Sequence, residues 1–250
     1  MRLDKFLSES SVGMRKTVRT YIKEGMVKVN GDVIREPTIE INESDDVIEY
    51  LSKVVDYTGK VYYMFNKPAG YITARVDTVN KTVFDFFDDV NMNGVFHVGR
   101  LDKDTEGLLL LTNDGEFEHQ LMYPSKHVEK TYFFRALGFL DEADRIKLEQ
   151  GIYMGKDEMQ TKSAKIEVQK CGMLDSNYYN QPIVSGYLTI SEGRKHQVKR
   201  MLKAVGCYVV YLKRVSIGGL ILDESLKKGQ YRSLTEEEIE MVLGEYHKAF

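Results

Sequence analysis

The chain has few cysteines, no long apolar runs and no large excess of charge of either sign. Only Cys171 and Cys207 occur. Two cysteines cannot build a disulfide framework, and neither has the close partners of a zinc site. A reducing, cytoplasmic setting is therefore expected. The runs Leu108 to Leu111 and Val205 to Leu212, the latter interrupted by Gly206, are far shorter than the ~20 residues that span a bilayer. Met1-Arg2-Leu3-Asp4-Lys5 puts charges where a signal peptide needs its apolar segment, and no membrane association is expected. No glycine-rich phosphate loop, nucleophile elbow or His-Glu-x-x-His motif is present, which argues against NTPase, serine-hydrolase and zinc-hydrolase chemistry. The formal net charge is −3, so any nucleic-acid reading must rest on local patches.

With 250 residues, 42% hydrophobic and 29% charged, the chain has material for one or two domains with a sizeable core. The first fifty residues read as a small basic unit. From Met14 to Glu24, Val18, Tyr21 and Ile22 fall on one helical face, while Arg15, Arg19 and Lys23 recur every fourth residue on another. Gly25 is placed to end that helix. Asn30-Gly31, between Met26 to Val29 and Asp32 to Ile34, is a strong two-residue hairpin signal. Ile39, Ile41, Val47 and Ile48 supply further strand residues. Such a basic row is by itself usually a solvated face; the hairpin that follows it tilts the reading toward contact with an RNA backbone. A polar connection near Val54 to Lys60 marks the boundary, giving domains 1–56 and 57–250.

Beyond it, strand patterns are expected at Val61 to Phe65, Val128 to Leu137, Thr161 to Gln169 and Gly186 to Ile190. Helices are expected from Asp141 to Gly151 and from Arg194 to Ala204, and a last one opened by the Thr235/Glu238 capping box. Lys67-Pro68-Ala69-Gly70 and Asn113-Asp114-Gly115 read as turns. The order lacks regular βαβ alternation, so the fold class is α+β.

Chemistry concentrates in a few stretches. His97 to Gly107 crowds charged and small residues ahead of an apolar run that must be buried, which could hold a carboxylate rigidly. On the bland reading, Asp102 and Asp104 are ordinary loop carboxylates. Glu129-Lys130-Thr131-Tyr132 offers an aromatic hydroxyl at a strand start, though a strand tyrosine is more often packing. Ser191 to Arg214 carries seven Lys and Arg residues against Glu192 alone, a candidate phosphate-binding surface. On it, Lys195, Lys199 and Lys203 share one face, with Val198, Met201 and Leu202 on the packed side. His196 reads as structural, or as a hydrogen-bond partner. The acidic segment Thr235 to Glu245 balances this surface in the net charge.

Taken in order, Gly99-Arg100-Leu101-Asp102, Thr105-Glu106-Gly107-Leu108, Lys130-Thr131-Tyr132 and Glu192-Gly193-Arg194-Lys195-His196-Gln197-Val198-Lys199-Arg200-Met201 resemble the motifs of bacterial ribosomal RNA pseudouridine synthases, the RsuA family in particular. Lys67-Pro68-x-Gly70 and Gly229-Gln230-Tyr231-Arg232-x-Leu234-Thr235 fit the same pattern. The N-terminal unit, through Leu3-Asp4-Lys5-Phe6-Leu7 and Val27-x-Val29-Asn30-Gly31, resembles the RNA-binding domain of ribosomal protein S4. It departs from that domain in having Met14 where a serine commonly precedes the basic helix.

The resemblance implies an S4-like domain followed by a catalytic domain on a mixed, largely antiparallel sheet with flanking helices. It implies isomerisation of uridine to pseudouridine in small-subunit (16S) ribosomal RNA, with no metal or organic cofactor. Asp102 would be the nucleophile, Tyr132 would lie against the base, and Lys199 would sit beside the carboxylate, with Arg200 as fallback. Arg100, Arg194 and Arg200 would bind the substrate nucleotide. Arg15, Lys16, Arg19, Lys23, Lys195 and Lys203 would contact RNA. The partner would be ribosomal RNA or an assembling subunit, met by a monomer. Alternatives are a synthase acting on large-subunit (23S) RNA, a non-catalytic ribosome-assembly protein and, more weakly, a hydrolase using Asp102 and Asp104.

Overall fold

The computed structural model describes residues 1–57, 59–88, 91–155, 158–175 and 181–244, without the side chains of 124 and 172–175. Residue 58 of the expected connection and residue 245 of the acidic segment lie outside the described residues. The architecture is α+β, as the sequence implied.

The first unit packs α1 (Leu3–Glu9) and α2 (Arg15–Lys23) on a small sheet. Its strands are β1 (Val27–Val29), β2 (Asp32–Ile34), β3 (Ile48–Tyr50) and β4 (Lys53–Val54), in the order β2-β1-β3-β4. The hairpin forms at Asn30-Gly31, both with positive φ (52° and 88°), as a type I′ turn requires. Leu3, Phe6, Leu7, Val18, Ile22, Val27 and Ile48 make a separate apolar cluster. Beneath it, Asp4 is fully buried and paired with Arg2 (3.0 Å), Arg15 (3.0 Å) and Arg19 (2.9 Å). Burial pushes the Asp4 carboxyl up, but the arginine hydrogen bonds and charges outweigh it and hold it below its ordinary value. The basic row stays on the surface, with Arg15 and Arg19 about half exposed, and these two arginines also fasten α2 to α1 through the buried Asp4.

The second unit is built on a nine-stranded sheet with the main order β13-β5-β7-β11-β8-β10-β9. Its strands are β5 (Tyr62–Lys67), β6 (Phe96–Val98), β7 (Glu106–Thr112), β8 (Lys130–Leu137), β9 (Ala164–Asp175), β10 (Gln181–Ile190), β11 (Tyr208–Ile217), β12 (Leu220–Ile221) and β13 (Tyr231–Ser233). β6 adds to β7 and β12 to β11; β7 and β11 run parallel, and the other described pairs are antiparallel. The apolar run is β7 itself. Leu109 and Leu111 enter one core and Leu108 and Leu110 the other, because a strand covered on both faces has no polar side to show.

Helices α3 (Gly115–Met122), α4 (Glu142–Gln150), α5 (Gln197–Ala204) and α6 (Glu236–Leu243) flank the sheet. α4 is capped by the Asp141 carboxylate and stopped at Gly151 (φ 94°), and α6 opens with the Thr235/Glu238 capping box. Two elements differ from expectation. Asn113-Asp114-Gly115 does not merely turn the chain, since the Asp114 side chain accepts from Glu116 N and starts α3. α5 begins three residues late, because His196 adopts a left-handed conformation (φ 52°).

The two units meet at Asn113, which is buried. Its Nδ2 donates to the carbonyls of Glu9 (3.0 Å) and Gly59 (2.9 Å), and its Oδ1 accepts from Val61 N (2.8 Å). Among the described residues, no helix is long and apolar enough to cross a membrane.

The strand register puts one row across the sheet. Lys67 pairs with Gly107, Gly107 with Arg214, Arg214 with Tyr132 and Tyr132 with Leu188. Gly107 has φ 101°, and a Cβ there would sit 2.2 Å from the Arg214 carbonyl oxygen. A Gly107→Ala substitution is therefore expected to cost roughly 3 kcal/mol or more, read as a fall in the urea midpoint; a midpoint like that of the wild type would contradict this close approach.

Candidate active site

Residues 99–105 carry Asp102 between β6 and β7, and they are fixed largely through their main chain. Lys67, fully buried at the end of β5, donates from Nζ to the carbonyls of Pro68 (3.0 Å), Asp102 (3.1 Å), Lys103 (3.3 Å) and Thr105 (2.8 Å). Burial lowers its pKa to about 8 against the opposing pull of Asp104, Glu106 and Asp102. Thr73 Oγ1 accepts from Leu101 N (3.1 Å) and donates to Leu101 O (2.8 Å). Gly70 N donates to Lys103 O at 2.7 Å. The loop is thus held on several sides while the Asp102 carboxylate remains open to solvent.

That carboxylate faces α5. Lys199 Nζ lies 3.1 Å from Asp102 Oδ2 and 2.5 Å from Asp104 Oδ1, and His196 Nε2 lies 3.6 Å from Asp102 Oδ1. Val198, Met201 and Leu202 bury the opposite face of α5. Buried Gln197 locks the turn before it, accepting from Arg194 N (2.9 Å) and donating to Glu192 Oε1 (2.7 Å). Burial works against the Lys199 charge, yet its carboxylate partners outweigh that and raise its pKa. Burial likewise pushes Asp104 up, and Lys199 more than reverses the effect.

Below lies a cavity of about 690 Å³, lined among others by Asp102, Tyr132, Lys199, Arg100, Lys130 and Arg214. Segments roughly thirty and seventy residues apart in sequence therefore converge on one space. Tyr132 is nearly buried in its wall.

The remaining expected residues divide. Arg194 and Lys195 line the cavity, but the Arg194 guanidinium is committed to Glu192 (3.2 Å) and to the carbonyls of Met159 (2.5 Å) and Gln160 (2.8 Å). Arg200 pairs with Glu158 and donates to Met154 O (3.2 Å). It is not among the lining residues, so the fallback role beside Asp102 does not fit its position. Arg194, in the turn before α5, thus holds Met159 and Gln160, and Arg200, on α5, holds Met154 and Glu158. Lys203 is exposed on α5, as are Lys16 and Lys23 on α2. Lys195 precedes α5 rather than sharing its face with Lys199 and Lys203. Lys67, Lys130 and Arg214 were not picked out from sequence as site residues. The Lys67-Pro68-x-Gly70 and Lys130-Thr131-Tyr132 matches and the basic stretch ending at Arg214 were the available signals, and the sheet register shows where these cations go.

The pattern of the RNA pseudouridylate synthase family matches residues 61–204, which include the Asp102 loop, Tyr132 and Lys199. The chain belongs to this family. The S4 domain pattern matches residues 1–47. The chain is 42% identical over 243 residues to an uncharacterized RNA pseudouridine synthase, YtzG, of Bacillus subtilis (strain 168), covering 97% of this chain and 98% of that protein. It is 38% identical to ribosomal small subunit pseudouridine synthase A of Haemophilus influenzae, covering 97% of this chain and all of the other. A crystal structure of a pseudouridylate synthase superposes with a TM-score of 0.66 at 36% identity, covering 97% of this chain and 99% of that one. As a member of this family, the protein is an RNA-binding isomerase that converts uridine to pseudouridine.

This pseudouridine synthase carries an electrostatic cost in the cavity wall. Burial, reinforced by Arg214, lowers Lys130 to about 8, below the ordinary lysine value. Between about pH 8 and 10.5 the unfolded chain then holds a proton that the folded one has released, so this residue makes stability rise with pH across that window. Relative to Lys130→Met, the wild type is expected to gain up to about 3 kcal/mol between pH 7.5 and 10, measured by urea unfolding at both values. A pH-independent difference would refute the assignment.

Proposed function

We propose that this enzyme isomerises a uridine of small-subunit (16S) ribosomal RNA, with Asp102 as the nucleophile. The observation that carries the chemistry is the Asp102 carboxylate on a fastened loop, 3.1 Å from Lys199 and above the cavity that Tyr132 also lines. The choice of subunit rests on the relatives named ribosomal small subunit pseudouridine synthase A, which align over almost the whole chain at 36 to 38% identity.

A carboxylate can form a covalent intermediate with the nucleoside. Lys199 orients it and offsets its charge, so the anion need not be held by water. The target nucleotide must leave its stack for its glycosidic bond to be reached, at a cost of roughly a few kcal/mol. Arg100 and Lys195 at the cavity mouth, and Lys203 on the exposed side of α5, supply phosphate contacts that offset part of it. Tyr132 packs against the base and helps to remove the carbon-5 proton once the uracil has turned and rejoined the sugar, the Asp102 carboxylate being released as its bond to the nucleoside breaks. Residues 1–56 act as a separate RNA-binding domain, a division supported by their own apolar cluster, and residues 57–250 as the catalytic domain. We place the enzyme in the cytoplasm, acting as a monomer on ribosomal RNA or an assembling subunit.

Asp102→Asn is expected to abolish pseudouridine formation while leaving RNA affinity within about threefold, a difference below ~0.7 kcal/mol. Chemical mapping of pseudouridine in both ribosomal RNAs, from cells with and without the protein, tests the substrate. A missing 16S modification supports the proposal, and a missing 23S modification overturns the subunit. No change in either RNA would favour a non-catalytic assembly role. The half-exposed Arg15 and Arg19 and the exposed Lys16 and Lys23 carry the RNA contact of α2, and the two lysines can be changed without breaking the pairs to Asp4. Lys16→Glu with Lys23→Glu should weaken binding and reduce the salt slope by about 2; an unaltered slope would remove α2 from the interface.

A further inference from the structure

Two side chains in the cavity wall carry buried polar atoms with no partner among the described residues. Arg214, 2% exposed, makes one hydrogen bond, from Nε to Leu108 O at 2.8 Å. Neither of its terminal nitrogens donates to a described residue, and Nη2 is buried without a partner. Thr105, also 2% exposed, has a buried, unpartnered Oγ1. Both residues line the cavity beneath Asp102. The charged neighbour that bears on Arg214 is Lys130, another cation, and no carboxylate among the described residues pairs with either.

A buried charge without a counter-charge is strongly destabilising, and a brace between β7 and β11 would use one of the five donors of a guanidinium. An apolar side chain of similar size would fill the same space without that cost. The arrangement suits a state in which negative charge enters the cavity. The reaction supplies one. When the bond between C1′ and N1 breaks, its electron pair stays on N1 and spreads over the O2 and O4 carbonyl oxygens. If the carboxylate adds at C6 instead, the pair moves through C5 to O4. In both orders the charge lies on the base, which is the part that enters deepest past Asp102, while the phosphates remain near Arg100 and Lys195 at the mouth.

We propose that Arg214, together with Thr105 in the same cavity wall, receives the carbonyl oxygens of the extruded uracil and stabilises the negative charge they take up during catalysis. This rests on the function proposed above and assigns the base end of its site. Donors already fixed where charge develops act without reorganisation, and losing one costs about a hundredfold in rate.

The test compares single-turnover conversion of one RNA carrying uridine or 5-fluorouridine at the target, the fluorine drawing electron density from the ring by itself. Arg214→Gln should slow glycosidic cleavage of uridine about 100-fold and leave RNA affinity within about threefold. With 5-fluorouridine the loss should shrink to about tenfold or less, and Arg214→Lys should recover part of the rate. Equal losses with both bases would reduce Arg214 to a structural brace. A second arm needs no variant. 5-Nitrouracil, an anion near neutral pH, should inhibit the wild type at least about tenfold more tightly than uracil, and equal inhibition would overturn the proposal. A wild type that converts no uridine in ribosomal RNA, or an Asp102→Asn variant with normal turnover, would instead overturn the underlying function.

Discussion

The site depends on one buried ammonium. Lys67 gathers four main-chain carbonyls, three of them from the Asp102 loop itself and one from the neighbouring Pro68. Carbonyl oxygens left unpaired in a dry interior would each be costly. A single cation that satisfies several at once turns an irregular loop into a rigid support. The loop needs that rigidity, since a nucleophile displaced by even about 1 Å loses much of its rate. Asp102 can therefore stay solvent-facing and reactive while its backbone is held as firmly as a strand.

The row through Gly107, Arg214 and Tyr132 shows the same economy on the sheet. Among the described strand pairs, β7 and β11 alone run parallel, and at that crossing the absence of a side chain at Gly107 lets the two backbones approach. That contact brings β11 beside β8 at the level where Tyr132 meets the cavity. Cations then border the site on two sides, Lys199 above the carboxylate and Arg214 below the space for the base. Lys199 is paired with the Asp102 carboxylate, whereas the terminal nitrogens of Arg214 have no partner among the described residues.

Much of this was legible locally. Asn30-Gly31, the Asp141 to Gly151 helix and the Thr235/Glu238 box are short-range signals whose physics closes within a few residues, and they formed as read. The ordered motifs located Asp102, Tyr132 and Lys199 because family patterns record positions in a fold rather than neighbours in sequence. What escaped was set at long range. Lys67 beside Pro68 has the composition of a surface turn, and its burial follows from pairing with a strand forty residues away. Arg15 and Arg19 do lie on an exposed basic face, but that α1 brings Asp4 beneath them to pair with both could not be read from the row itself. The resemblance names Arg194 and Arg200 as substrate ligands, but a motif does not record that their guanidinium groups also engage main-chain oxygens. Asp114-Gly115 carries the signal of a tight turn and that of a helix cap at once, and only tertiary packing chooses between them.

The joint at Asn113 has a consequence for how such proteins diversify. Its amide grips main-chain oxygens of Glu9 and Gly59, atoms that every residue type provides. The coupling is thus largely blind to side-chain identity on the N-terminal partner. That partner's exposed surface can therefore change residue by residue while the seam stays intact, leaving the two units free to vary at different rates on one continuous frame.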